Sequence, residues 1–360
     1  MTTEDQTKTY KAFSFRMKDA TSGKRLVALG NAVNTVWNFC NEVSARSAQR
    51  GPRWATKKQL RDLTKGSSRE LGLPSQVIQE VVDEYMVKRK AAGRPKLRWR
   101  VSRGDRRSLG WVPFTNQDIE ISGSTVLLRG QKFRLWKHRA LEGKVKSGNF
   151  SQDARGRWYC NIVCEVEIKA LGGNADIGVD LGLKSVAKCS DGPELERATF
   201  YRDLEPKLAE AQRRKRKRQV RTIHAKIANR RKDSLHKFSR ALVKRARSIT
   251  VGNVSASKLA KTPMAKSVLD AGWSMLRTYL RYKCDHAGVA YVEVDEAYTT
   301  QTCSECGCLS GPKGREGLAV RRWVCGDCDA EHDRDQNAAL NIARLGCETP
   351  RLKGQGSPAF

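Results

Sequence analysis

The stretch ADIGVDLGLKSVAKCSDG, residues 175–192, decides how this chain is read. It has the pattern of a strand, a tight glycine turn and a second strand. Asp180 closes the apolar run Ile177-Gly178-Val179, and Leu181-Gly182 follows, a turn that leaves the carboxylate at the strand's edge. Such an acid is either a turn residue or a chemical group. The rest of the chain decides between them.

Downstream, residues Glu205 to Arg247 form a long basic helical region in which Val220, Ile223, Ile227, Leu235, Phe238 and Leu242 keep a helical stripe. From Arg213 to Arg247, sixteen Lys or Arg face one acid, Asp233. Like charges at that density repel unless something anionic lies against them, so a helix pair with nucleic acid on its outer face is expected. Arg213, Arg214, Lys215, Arg216, Lys217, Arg218, Arg230 and Arg231 are the candidate phosphate contacts. Then come RSITVGNVSASKLAKT (residues 247–262, opening as a strand), a helix from Met264 to His286, and a strand over Ala290 to Val294. A cysteine-rich insert and the helix DRDQNAALNIARLG end the ordered chain; the tail CETPRLKGQGSPAF, residues 347–360, lacks periodicity and is expected to be disordered.

Composition narrows the partners. The chain has 360 residues and a formal net charge of +31, with hydrophobic residues at 39%, enough for several globular domains with nucleic acid as partner. No apolar run approaches the roughly 18 residues of a membrane span, and MTTEDQTKTYKAF lacks the apolar core of a signal peptide. Eleven Cys without such a signal point to thiols and metal in the cytoplasm.

The first half reads differently. Tyr10 to Phe15 alternates like an edge strand. Leu26, Leu29, Val33, Val36 or Trp37, Cys40 and Val43 mark an amphipathic helix behind a Thr/Ser cap. A further helix opens at Pro74, buries Val77, Ile78, Val81, Val82 and Tyr85, and ends in KRKAAG. Between Arg94 and Ile168, short period-two runs such as Thr125–Leu128, Lys132–Trp136 and Trp158–Val166 read as antiparallel strands of a small barrel or sheet.

CSEC at Cys303 and Cys306 and CGDC at Cys325 and Cys328 stand eighteen residues apart. Tetrahedral zinc takes four soft ligands, two from each knuckle, and leaves no open position, so one structural Zn²⁺ is expected. Cys308 and His332 are rival ligands that break the paired symmetry. Arg321, Arg322 and Trp323 beside the second knuckle suit phosphate contact and base stacking, although a lone Trp is more often core. Asp335 falls in the first turn of the last helix, before Asn337, Ala338 and Ala339, small residues that allow close packing on a sheet. Two such acids, on a βββ…αβαβ…α order in a chain this basic, suggest paired Mg²⁺ ions for phosphodiester cleavage.

GVDLGLKSVAKCSDG, HAKIANRRKDSLHKFSRALV, TTQTCSECG, RRWVCGDC and DRDQNAALNIAR, in that order, closely resemble the TnpB family of transposon-encoded RNA-guided nucleases, relatives of the type V CRISPR effectors. The resemblance covers Ala175 to Leu345, and more loosely the first half. It implies a multidomain α+β and α/β chain. Its parts would be a β-barrel-like module (residues 1–20 and 94–172) with a helical recognition insert (21–93), and a RuvC-like nuclease domain of RNase H fold (173–302 and 330–346) interrupted by a zinc ribbon (303–329). It also implies a guide RNA, double-stranded target DNA beside a short adjacent motif, and a monomeric ribonucleoprotein. The family's first and third catalytic acids map onto Asp180 and Asp335.

This chain departs from the family at the middle acid. Members usually carry Glu at the end of the strand in residues 247–254, then Asp and Leu; here stand Gly252, Asn253 and Val254. In an RNase H sheet that strand lies parallel to Ala290–Val294, with ends about 5 Å apart. Glu296, where the family more often has Pro, is therefore the expected substitute ligand, with Asp295 next and Glu293 third because it lies inside its strand. The rival readings are an RNA-guided DNA-binding repressor that has lost the chemistry, and a zinc-ribbon transposition accessory without a guide.

Overall fold

The computed structural model describes residues 8–51, 54–170, 172–254, 271–314 and 316–348. The expected start of a helix at Met264 and most of the expected tail lie outside them. The chain divides into two units, Met1–Glu167 and Ile168–Phe360.

In the first unit a strand, β1 (Lys8–Met17), leads into the helices α1 (Ala20–Arg50), α2 (Lys57–Thr64), α3 (Ser68–Leu71) and α4 (Ser75–Ala92). Six strands follow: β2 (Trp111–Thr115), β3 (Ile119–Ser122), β4 (Thr125–Leu128), β5 (Gln131–Trp136), β6 (Lys144–Gln152) and β7 (Trp158–Glu167). The sheet order is β2-β6-β7-β1-β5-β4-β3 and every pairing is antiparallel. Among the described residues the end strands β2 and β3 do not pair, so the ladder does not close into a barrel.

Two local readings are corrected here. β1 is central rather than an edge, because its partners β5 and β7 arrive from more than a hundred residues away. The cap of α1 is Asp19, not Thr or Ser: its carboxylate accepts hydrogen bonds from Ser22 N at 2.7 Å and Ser22 Oγ at 2.9 Å. The helical stripes hold. Leu26, Leu29, Val33, Val36, Trp37 and Cys40 of α1, and Val77, Ile78, Val81, Val82 and Tyr85 of α4, are buried in one core. α4 ends at Gly93, whose φ of 59° is the left-handed conformation that glycine adopts most easily.

The second unit is built on β8 (Ala175–Asp180), β9 (Ser185–Cys189), β10 (Glu194–Glu196), β11 (Ala246–Gly252) and β12 (Ala290–Val294). The sheet order is β10-β9-β8-β11-β12, antiparallel among the first three, with β8, β11 and β12 parallel. Its helices are α5 (Glu205–Arg213), α6 (Lys217–Arg245), α7 (Trp273–Ala287) and α8 (Arg334–Glu348). A hairpin, β13 (Arg322–Val324) with β14 (Glu331–Asp333), stands between β12 and α8. No described helix is long and apolar enough to cross a membrane.

Side-chain alternation then allots the two faces of the sheet. Ile177 and Val179 of β8 and Ile249 and Val251 of β11 join Leu235 and Leu242 of α6 and Trp273, Leu276 and Leu280 of α7 in one core. The intervening residues Gly178, Asp180, Thr250 and Gly252 face the other way, toward α8. There the helix lies on the strands backbone to backbone. A Cβ on Gly178 would meet Ala343 N at 2.5 Å and Ala343 Cβ at 2.9 Å, and one on Gly346 would meet the Thr250 side chain at 2.7 Å or less. Gly346 has the look of a helix stop, yet α8 continues two residues past it to Glu348, because the glycine is there for contact. The expected tail thus begins later than residue 347.

Gly178→Ala is expected to destabilise the second unit by about 1–3 kcal/mol, since neither the strand nor the helix backbone can give way. A melting temperature within a degree of the parent's in calorimetry would contradict this close packing.

Candidate metal centres and nucleic-acid surface

β8, β11 and β12 run parallel, so their C-terminal ends share one edge of the sheet. Asp180 is the last residue of β8, on the α8 face. Gly252 ends β11 and pairs in register with Val294, the last residue of β12. Two residues further on, Glu296 folds back over that glycine. A Cβ at position 252 would lie 2.6 Å from Glu296 Oε2 and 3.2 Å from Glu296 Cβ. Glu296 therefore occupies the space a side chain at 252 would fill.

The third acid arrives from α8. Asp335 sits in its first turn, and its Oδ1 lies 3.2 Å from Arg321 Nη1. Electrostatics tie the three together. Burial, then the negative charges of Asp335 and Glu296, push Asp180 up to about 7, against a smaller opposing effect of Arg334. Burial and the charge of Asp295 also raise Glu296, while Arg277 and the Val254 backbone N–H act the other way. Glu296 Oε2 is buried without a hydrogen-bond partner. Among the described residues no three carboxylates bring their oxygens within 4.8 Å of one another. Asp180 thus feels the charge of both other acids, and Glu296 presents one unsatisfied carboxylate oxygen, the donor type a hard divalent cation takes.

The other two acids are placed apart. Glu293 is held by Arg281 at 2.6 Å and by the Tyr291 hydroxyl at 2.8 Å. Asp295 is exposed, and its Oδ1 accepts from Ala297 N at 3.2 Å.

The loop carrying Glu296 is anchored by two residues whose role the sequence did not disclose. Asn337 and Asn341, one helical turn apart on α8 and almost wholly buried, each donate through Nδ2 to Thr299 O and Thr302 O. Asn337 Oδ1 also accepts from Ser304 N at 2.9 Å. The i,i+4 pair of asparagines on an otherwise small, apolar face was the available signal.

Cys303, Cys306, Cys325 and Cys328 bring their sulfurs within 4.8 Å of one another, a four-thiol group with the donor set of tetrahedral zinc. Both knuckles turn alike, with Gly307 N bonded to Cys303 O and Asp329 N bonded to Cys325 O. The Ser310 hydroxyl and the Asp327 and Cys328 amides pull Cys325 down to about 6, toward the thiolate. His332 stands outside the group, its Nε2 3.1 Å from Cys303 Sγ. Cys308 stands outside it too. Trp323 is core rather than a stacking surface: it is buried and packs on His332 with ring centroids 4.5 Å apart.

On the basic helices, Arg213 to Arg218 are all exposed, across the end of α5, a turn with Lys215 at φ 52°, and the start of α6. Arg214 pairs with Glu210 at 3.1 Å. Arg230 is exposed too, but Arg231 turns inward, its Cδ 3.0 Å from where a Cβ on Gly272 would lie.

A mixed sheet with acids near the carboxyl ends of its parallel strands, followed by a four-cysteine hairpin, combines oxygen donors of the kind hard cations take with a thiol set of the kind zinc takes. Comparison narrows the reading. Residues 161–262 match the family model described as "Probable transposase", and residues 273–342 match "Cas12f1-like, TNB domain". A putative RNA-guided DNA endonuclease of Streptomyces pristinaespiralis is 34% identical over 227 residues, 59% of this chain and 56% of that protein. The putative RNA-guided DNA endonuclease InsQ of Escherichia coli (strain K12) is 30% identical over 238 residues, 58% of each. The chain spans little more than half the length of these curated relatives. A cryo-EM structure of a Cas12f1–sgRNA–target DNA complex shares the fold, with a TM-score of 0.59 at 12% identity over 93% of this chain and 99% of that one. The TnpB resemblance drawn from the motifs is borne out: the chain is similar in sequence to these RNA-guided endonuclease relatives and in fold to Cas12f1.

The raised Asp180 has a sign that can be tested. Folded it titrates near 7, against 3.8 for an ordinary Asp, so the folded state holds the extra proton between those values. Stability without divalent ions should therefore fall as pH rises from about 4 to 7. Asp180→Asn should remove much of that fall, gaining on the order of 2–4 kcal/mol at about pH 8 and little at about pH 4. Equal effects at both pH values in thermal unfolding would show that neither burial nor the neighbouring acids raise Asp180.

Proposed function

We propose that this chain is an RNA-guided, Mg²⁺-dependent DNA endonuclease with an RNase H-like (RuvC-like) catalytic unit, and that Glu296 replaces the acid missing at Gly252. The observation that carries the reading is Glu296 Oε2, buried, unpartnered and lying over Gly252 beside Asp180 and Asp335. The relatives named as RNA-guided endonucleases support it, as does the net charge of +31.

When bound, two Mg²⁺ ions supply Lewis acidity and an activated water for attack on the scissile phosphodiester. Asp180, Glu296 and Asp335 would hold them with oxygen ligands from a strand end, a loop and a helix's first turn. Asp180 must lose its raised proton to serve, and Arg334 beside it favours that loss. Arg321 balances part of the cluster's charge from the ribbon side. Asn337 and Asn341 hold the loop so that Glu296 does not swing away. Cys303, Cys306, Cys325 and Cys328 would bind one structural Zn²⁺. Arg213 to Arg218 would grip guide RNA phosphates without reading bases, and pairing between guide and target would read sequence next to a short adjacent motif.

The test uses the ribonucleoprotein purified with its own RNA and a plasmid matching that RNA's guide segment. Glu296→Ala should lower cleavage by at least about 100-fold, as Asp180→Ala and Asp335→Ala do, since even a 1 Å misplacement of a catalytic group can cost that much. Guide and target binding should be retained. Cleavage by Glu296→Ala at the parent rate would defeat the replacement. A parent that binds target yet never cuts in Mg²⁺ or Mn²⁺ would defeat the nuclease reading.

A further inference from the structure

In the first unit, the end of β1, the first turns of α1 and the β6–β7 turn surround a cavity of about 410 Å³. Four cations line it: Arg16, Lys18, Lys24 and Arg157. All four are exposed, and among the described residues none has an ion pair or a side-chain hydrogen bond. Elsewhere in this unit cations are often matched, as Lys57 and Arg61 are by Asp83 and Arg155 by Asp153. The acid lining the cavity, Asp19, is committed to capping α1 through Ser22.

The floor is built rather than incidental. Trp158 is only 4% exposed, and its Nε1 is buried without a hydrogen-bond partner. Gln152 beside it is held from both ends, its Oε1 accepting from Arg107 at 3.0 Å and its Nε2 donating to Gly156 O at 3.2 Å. Space over the indole is kept by Gly23, where a Cβ would meet only Trp158 Cδ1, at 3.9 Å.

From this geometry we infer that the cavity is a binding site for one nucleotide of a single-stranded nucleic acid. Its phosphodiester lies among Arg16, Lys18, Lys24 and Arg157, and its base or sugar rests near Trp158. Four unmatched positive charges around one concavity select an anion, and phosphodiester is the anion this chain's charge suits. The volume admits a single nucleotide unit; a duplex is far too wide to enter, with a major groove alone about 12 Å across. The inference rests on the reading of the chain as a nucleic-acid-binding protein, but needs no cleavage.

The test uses the full chain carrying Asp180→Ala, so that failure of the nuclease reading leaves the result unaffected. Single-stranded RNA carrying 4-thiouridine and single-stranded DNA carrying 4-thiothymidine are photo-crosslinked separately, and the adducts are mapped by mass spectrometry. Adducts in residues 16–27 or 152–158 are expected, from RNA if the site holds guide and from DNA if it holds target strand. Gly23→Met fills the cavity with no change in charge and should remove those adducts. Lys24→Gln with Arg157→Gln should weaken binding about tenfold and flatten the log–log salt slope by about 1.4, two contacts at ~0.7 each. Lys58→Gln with Arg98→Gln, which removes the same charge elsewhere on this unit, should do neither. No adduct in these segments from either probe, or a Gly23→Met chain that crosslinks like its parent, overturns the site.

Discussion

The close approach of α8 to β8 and β11 is the constraint on which the second unit's chemistry depends. Gly178 on the strand and Gly346 on the helix leave no room for a side chain at either end of the contact. At that separation the first turn of α8 must stand at the carboxyl edge of the sheet, and Asp335 comes beside Asp180 in consequence. The same face carries Asn337 and Asn341, which tie down the Thr299–Thr302 turn. That turn joins the Glu296 loop to the first cysteine knuckle. One packed helix thereby positions two acids and the base of the ribbon.

The missing acid follows from the same geometry. A long side chain at position 252 and the present pose of Glu296 exclude one another, because they claim one volume. A carboxylate carried on β12's loop rather than on β11 reaches that volume from the neighbouring strand's end. The protein bears the charge repulsion of three acids at one edge, visible in the raised Asp180. A fold retains such a cluster when a cation offsets it, since uncompensated buried charge is costly.

Much of this was legible in the chain because it is local. A short apolar run closed by an acid and a glycine turn placed Asp180, the paired CxxC units placed the four thiols, and the stripes of α1, α4 and α6 marked their buried faces. Parallel pairing of β11 with β12, and with it the approach of Glu296 to Gly252, came instead from the sheet that the family resemblance implies. Long-range partners were not legible. β1 looks like an edge strand because nothing within it names β5 and β7 as neighbours. Gly346 looks like a stop because a glycine needed for contact and one needed for a turn are the same letter. Trp323 offered either stacking or core, and only the packing of His332 decides for core. Arg231 sits in a basic run, yet its neighbour in space, Gly272, draws it inward.

Anomalous diffraction from crystals of the chain soaked in Mn²⁺ tests most directly whether Glu296 is a metal ligand. Manganese is expected at the carboxyl edge of the β8–β11–β12 sheet, with oxygens of Asp180, Glu296 and Asp335 at roughly 2.1 Å, close to the spacing of Mg²⁺ sites. Manganese held by Asp180 and Asp335 with Glu296 turned to solvent, or no ion at that edge, would contradict it.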